Sequence, residues 1–122
     1  MKLHLNQLGD TKLFTAIAAD HVMVNGERFA DSLVVLPEEV RSDWTVASFA
    51  NLEESDFSYF LPLKPEVLIF GTGSKQQFPH PRLYRALTDA GVGVEFMDTA
   101  AACRTYNILV AENRKVIAAI LP

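Results

Sequence analysis

The sequence predicts a single α/β domain in which a β-meander precedes a layered sheet with helices packed on it. Three observations carry that prediction. The first third is a series of short apolar runs broken by Asn25-Gly26, the strongest short hairpin signal because both residues tolerate positive φ. The second half alternates apolar runs with capped, helix-spaced segments, in the order strand, helix, strand, helix, strand. The chain has 122 residues, 49% hydrophobic and 21% charged. A domain of this size buries roughly two thirds of the surface its unfolded chain exposes, so it needs neither disulfide nor metal to hold a core.

Residues 13–18 and 21–24 form the first two strands, residues 27–29 return from the hairpin, and residues 32–36 form a further strand of the meander, ended by Pro37. Residues 44–49 read as extended. Residues 55–61 read as a short helix with Ser55 as N-cap, ended by Pro62 and Pro65. Residues 67–70 are apolar throughout, as in a strand buried on both faces, and lead into Gly71-Thr72-Gly73. Pro81 suits the first turn of a helix. That helix runs through Leu83, Tyr84 and Leu87 to Ala90 and stops at a left-handed Gly91. Residues 92–97 form a second buried strand. Asp98 or Thr99 caps a third helix, in which Ala102, Tyr106, Leu109 and Val110 lie at helical spacing. Residues 116–121 close the chain as a strand. No repeat, low-complexity segment or linker divides the sequence, and a meander alone cannot bury both its faces. Residues 1–122 are therefore assigned to one domain.

Net charge is −4. That argues against nucleic-acid binding, which needs cations to replace phosphate counterions, and against docking on an anionic membrane surface. The single cysteine, Cys103, allows no intrachain disulfide and fits a reducing, cytoplasmic compartment. Residues 1–7 carry one lysine but no apolar core, so they do not read as a signal peptide. No apolar run approaches the ~18 residues of a membrane span, so direct insertion is not expected.

The candidate ligand crevice comprises Gly71, Thr72, Gly73, Lys75, Asp98, Thr99, Arg104 and Asn107. Gly71-Thr72-Gly73 follows a buried strand, where α/β sheets usually bind ligands. Glycines there let backbone N–H groups approach a small anion or nucleotide, with Lys75 adding charge. The pattern lacks the third glycine and immediate helix of a dinucleotide site, and the Gly-Lys-Ser/Thr ending of a P-loop. Asp98-Thr99 ends the next strand and faces the same crevice, and Arg104, one turn from Asn107, has the geometry to grip an anion. Each residue also has a purely structural role open to it. The glycines suit a tight turn with unusual dihedrals, Asp98-Thr99 a helix cap, Arg104 a solvated surface, and Asn107 a buried tie to a loop. No catalytic residue, metal or cofactor is expected. His4, His21 and His80 are scattered, none is near Cys103 in sequence, and Ser74 lies outside a nucleophile-elbow frame.

Three stretches carry a family resemblance: residues 68–73, residues 91–99 and residues 101–109, the last containing Thr105-Tyr106-Asn107. Residues 112–119 also fit, and the Asn25-Gly26 hairpin, Pro37 and Trp44 agree more loosely. The chain resembles the domain-of-unknown-function family that includes mitochondrial complex I assembly factor 3 and many small bacterial proteins. The resemblance implies a three-layer fold, a mixed central β-sheet flanked by helices with an added N-terminal β-meander. It implies no established catalytic activity. It does imply protein partners, met during assembly of a respiratory or other membrane complex, and a cytoplasmic bacterial member of the family. The sequence specifies neither those partners nor an oligomeric state.

Overall fold

The computed structural model describes residues 10–122. The signal-peptide expectation for residues 1–7, and His4 with it, lies outside the described residues. Strands β1 (Phe14–Ile17), β2 (Val22–Val24) and β3 (Glu27–Phe29) form an antiparallel meander. Asn25 and Gly26 make its hairpin at φ 49° and 86°, as the Asn-Gly pair predicts. A second sheet holds β4 (Leu33–Val35), β5 (Val40–Arg41), β6 (Val67–Gly71), β7 (Gly93–Met97) and β8 (Val116–Ile120) in the order β5-β4-β8-β6-β7. It is mixed: β6 runs parallel to β7 and β8, while β4 runs antiparallel to β8 and β5.

Every residue of β8 is buried, and the strand's period-two alternation divides the interior. Val116, Ala118 and Ile120 share a cluster with Phe14, Cys103 and Tyr106. Ile117, Ala119 and Leu121 share the other with Trp44, Phe57, Phe60 and Leu87. One face of the sheet is thus covered by the meander and helix α3 (Thr99–Ala111). The other is covered by helices α1 (Glu54–Ser58) and α2 (Arg85–Asp89) and the segment around Trp44. The three layers are the predicted ones. Phe57 stacks on Phe70 at 5.4 Å and Trp44 meets Phe70 edge-on at 5.7 Å. Each such buried side chain contributes roughly 1.5–3 kcal/mol of hydrophobic stabilisation.

Several local expectations are corrected. The fourth apolar run, β4, pairs with β8 and β5 rather than extending the meander. Leu33, Val34 and Val35 are all buried, so the strand needs cover on both faces, which only the larger sheet provides. Strand β7 sits at the sheet edge, with Gly93 and Glu95 exposed and Phe96 buried; it is not buried on both faces. Ser55 does not cap α1. Glu53 is the N-cap, and its N–H donates to the Asp56 carboxylate at 2.8 Å. Pro62 lies inside a 3₁₀ turn, Leu61–Leu63, near whose start its missing N–H costs nothing. The segment from Pro81 to Ala90 splits into a 3₁₀ turn, Pro81–Leu83, and α2. His80 caps the turn through Nδ1, which accepts from the Arg82 N–H at 3.1 Å. Among the described residues, no helix is long and apolar enough to cross a membrane.

Candidate functional site

At the carboxyl end of β6 the chain meets the first turn of α3. Gly71 is the last residue of β6, and its φ is not positive. A Cβ there would lie 3.0 Å from both Thr99 Oγ1 and Ile120 Cδ1, so glycine is required by the close approach of α3. Unusual dihedrals were expected at both glycines; only Gly73 has one, at φ +99°. Thr72 is buried. Its N–H donates to Met97 O at 2.8 Å, and its hydroxyl accepts from the Gln77 N–H at 3.1 Å. The same hydroxyl directs its proton towards the carbonyls of Met97 and Lys75.

Gly73 and α3 are joined in both directions. The Gly73 N–H donates to Thr99 Oγ1 at 2.9 Å, and the Thr99 N–H donates to Gly73 O at 2.8 Å. Thr99 Oγ1 in turn donates to Leu121 O at 2.8 Å. Asp98 is the N-cap of α3, with Oδ1 accepting from the Ala101 N–H at 2.9 Å. The backbone donors of Thr72, Gly73, Thr99 and Ala101 are thus all engaged inside the protein. An anion cradle needs such groups free to converge on a ligand.

Beside this junction, where the meander folds over the start of α3, lies a cavity of about 330 Å³. Its apolar walls come from Ile17, Val22 and Phe29 of the meander and from Ile120 and Leu121. Its polar groups include His21, Asp31, Ser74, Asp98 and Thr99. Among the described residues, no lysine or arginine lines it. Two further depressions adjoin it. One, of about 500 Å³, shares Phe29, Ala30 and Asp31 and includes Arg28. The other, of about 380 Å³, shares Gly73, Ser74, Leu121 and Pro122 and includes Thr72 and Lys75.

The eight predicted residues are therefore dispersed. Gly73, Asp98 and Thr99 line the cavity, while Thr72 and Lys75 line its neighbour. Gly71 is buried beneath the junction, and Arg104 is exposed on α3. Asn107 is bound to β1: Oδ1 accepts from the Phe14 N–H at 3.0 Å and Nδ2 donates to Phe14 O at 2.9 Å. The meander residues of the cavity carry no local signal of a site, because only the folding of β1–β3 onto α3 brings them there.

The remaining reactive groups are quiet. Cys103 is fully buried, and burial pushes its thiol up to about 12, with the Arg104 charge opposing weakly. His21 Nδ1 lies 2.7 Å from Asp20 Oδ1, and that hydrogen bond holds Asp20 below its ordinary value. Among the described residues, no group of three or more His, Cys, Asp or Glu converges as metal ligands.

A model of a protein family described as of unknown function (DUF498/DUF598) matches residues 14–121. The chain is similar to NADH dehydrogenase (ubiquinone) 1 alpha subcomplex assembly factor 3 of Bos taurus. The two are 37% identical over 102 residues, which cover 82% of this chain and 55% of that protein. The chain thus spans about half the length of the curated assembly factors it matches. It is also similar to the 13 kDa major membrane protein of Francisella tularensis subsp. holarctica (strain LVS), 38% identical over 71 residues, 58% of each protein. Among solved structures, a crystal structure of a Bordetella parapertussis protein superposes with a TM-score of 0.86 at 43% identity, covering 92% of this chain and 96% of that one.

Proposed function

Because the chain belongs to the DUF498/DUF598 family of proteins of unknown function, we propose that it works by protein contact, as a cytoplasmic assembly factor for a respiratory or other membrane protein complex. One observation carries this reading: 37% identity, over 82% of the chain, to a protein named as an assembly factor of NADH dehydrogenase. The chemistry of the junction is consistent with it. The hydroxyls of Thr72 and Thr99 are held in internal hydrogen bonds, and the Cys103 thiol is sealed in the core. What the protein offers a partner is surface, including the exposed side chains of Phe78 and Ile108 and, at the cavity wall, Ile17.

The test is affinity capture of the tagged protein at native expression, paired with a deletion strain. Subunits of one membrane complex should co-purify reproducibly, and the assembled level of that complex should fall in the deletion strain. If no partner recurs and every respiratory complex keeps its normal level, the assembly role is wrong.

A further inference from the structure

We infer that Asn25 is a latent deamidation site in the hairpin between β2 and β3, kept intact in the folded protein by hydrogen bonds and released when the segment ahead of β1 detaches. This chemistry belongs to the chain itself and stands apart from the assembly reading.

The sequence supplies the reaction. Asn25 precedes Gly26, whereas Asn6, Asn51, Asn107 and Asn113 precede larger residues. A glycine nitrogen is the least hindered backbone nucleophile, because its residue carries no side chain. The Gly26 nitrogen gives up its proton, and its electron pair bonds to Asn25 Cγ. The Cγ–Nδ2 bond breaks, and Nδ2 leaves as ammonia with that proton. Water then opens the cyclic imide at either carbonyl, giving aspartate or isoaspartate. One water is consumed and one ammonia released, with no oxidation or reduction.

The fold withholds both reacting groups. Asn25 Oδ1 accepts from the Leu13 N–H at 2.8 Å, Nδ2 donates to Thr11 O at 3.1 Å, and the Asn25 N–H donates to Leu13 O at 3.0 Å. The carboxamide is thus turned towards residues 11–13 and cannot swing to Gly26 while those bonds hold. The Gly26 N–H donates to Thr15 Oγ1 at 3.0 Å, so its proton is held as well. Burial plays no part. Thr15, Asn25 and Gly26 are exposed, and nothing lies within 4 Å of the place a Gly26 Cβ would take. Water has access, and the hydrogen bonds stand between the site and its reaction. The products damage the hairpin. Aspartate sets an acceptor against Thr11 O, where Nδ2 donated. Isoaspartate adds a backbone atom to a two-residue turn that fixes the Val24–Glu27 register.

Peptide-mapping mass spectrometry, with isoaspartate resolved by chromatography, tests the proposal. The full chain is aged in mildly alkaline buffer, native and in urea, beside a synthetic peptide of residues 20–31. In urea, Asn25 should be modified before the other asparagines, at the rate of the peptide. In the native protein it should react at least about tenfold more slowly, because several ordinary hydrogen bonds must open first. Thr15→Val removes the acceptor of the Gly26 N–H at an exposed position and should speed the native reaction by roughly threefold to tenfold. Thr15→Ser keeps the hydroxyl and should restore the slow rate. A second measurement needs no variant. In urea too dilute to unfold the protein, the rate at Asn25 should rise together with hydrogen exchange at the Leu13 and Asn25 amides, ahead of exchange in β6 and β8.

A native protein modified at Asn25 as fast as the peptide overturns the proposal, because the bonds to residues 11–13 would then give no protection. So does another asparagine reacting first in urea. Equal native rates for folded Thr15→Val and Thr15→Ser remove the role of the Thr15 hydroxyl and sink the proposal as stated. A rate at Asn25 that follows exchange in β6 and β8 instead would place the release in global unfolding rather than in the start of the meander, and also overturns it.

Discussion

The hydroxyl of Thr99 accepts the Gly73 N–H at 2.9 Å while donating to Leu121 O at 2.8 Å. One oxygen therefore joins the turn after β6, the start of α3 and the end of the central strand. Thr99→Val keeps the shape and removes both bonds. The Gly73 N–H and Leu121 carbonyl then lose their partner, at a cost of roughly 1–3 kcal/mol. Thr99→Ser should recover most of that loss. Urea unfolding of the three proteins is the check, and a Val variant as stable as the Ser variant would contradict it.

Gly71 and Gly73 should fail for different reasons. Gly71→Ala places a Cβ 3.0 Å from Ile120 Cδ1 and 3.1 Å from Thr99 Cα, an overpacking cost of roughly 1–3 kcal/mol. Gly73→Ala has a nearest neighbour at 3.3 Å but a φ of +99°, so it should lose about 1 kcal/mol or more to backbone strain. Lys75→Ala should be almost silent, because its side chain is exposed and, among the described residues, in no ion pair. Melting curves distinguish these outcomes. A Lys75→Ala loss comparable to that of Gly71→Ala would mean that the lysine does structural work invisible in its contacts.

Asn107 takes the place of a neighbouring strand for Phe14, bonding both its N–H and its carbonyl, and the Tyr106 hydroxyl donates to Lys12 O at 2.9 Å. Asn107→Leu should therefore loosen the meander ahead of the rest of the fold. Hydrogen exchange should accelerate at the amides of β1 and β2 while those of β6 and β8 stay protected. Uniform acceleration across both sheets would show instead that the meander and the large sheet open as one unit.

Much of this was legible in the sequence, where the signal was local. The apolar runs of β6 and β8, the Asn25-Gly26 turn, the Gly91 stop and the Asp98 cap are each specified by residues within a few positions of one another. Misreadings occurred where distance along the chain mattered. Nothing near Gly71 shows that Thr99 packs against it 28 positions later. Ser55 is a better cap by residue type, yet Asp56 bonds back to the Glu53 N–H and starts the helix earlier. The run from Val92 to Met97 has the apolar content of a core strand, but its position at the edge depends on the order of the other four. A cavity lies at the carboxyl end of β6, where the sequence reading puts its candidate crevice, and Gly73, Asp98 and Thr99 line it. Its meander walls carry no local signal, because β1–β3 reach it only through tertiary contacts, the packing of Phe14, Val22 and Val24 and the bonds of Asn107 and Tyr106.

Alkaline pH should destabilise the fold through α3. Cys103 is fully buried, and burial raises its thiol from an ordinary value of 9.0 to about 12. The folded state therefore holds this proton more tightly than the unfolded chain does. The resulting stabilisation is complete below about pH 9 and is lost progressively as pH rises towards 12. Tyr106, a turn further along the same helix, is also raised by burial, and its ionisation would cost the hydrogen bond to Lys12 O, so it adds in the same direction at still higher pH. The unfolding free energy should stay level near neutrality on account of these groups and fall above pH 9. Cys103→Ala should lower stability at pH 7 by removing packed sulfur, but should flatten the alkaline decline. The thiol should also resist disulfide reagents at pH 8, with labelling limited by opening of the structure. Labelling of the native protein as fast as a free cysteine peptide, or an alkaline slope unchanged in Cys103→Ala, would show that the thiol is not held in the core as described.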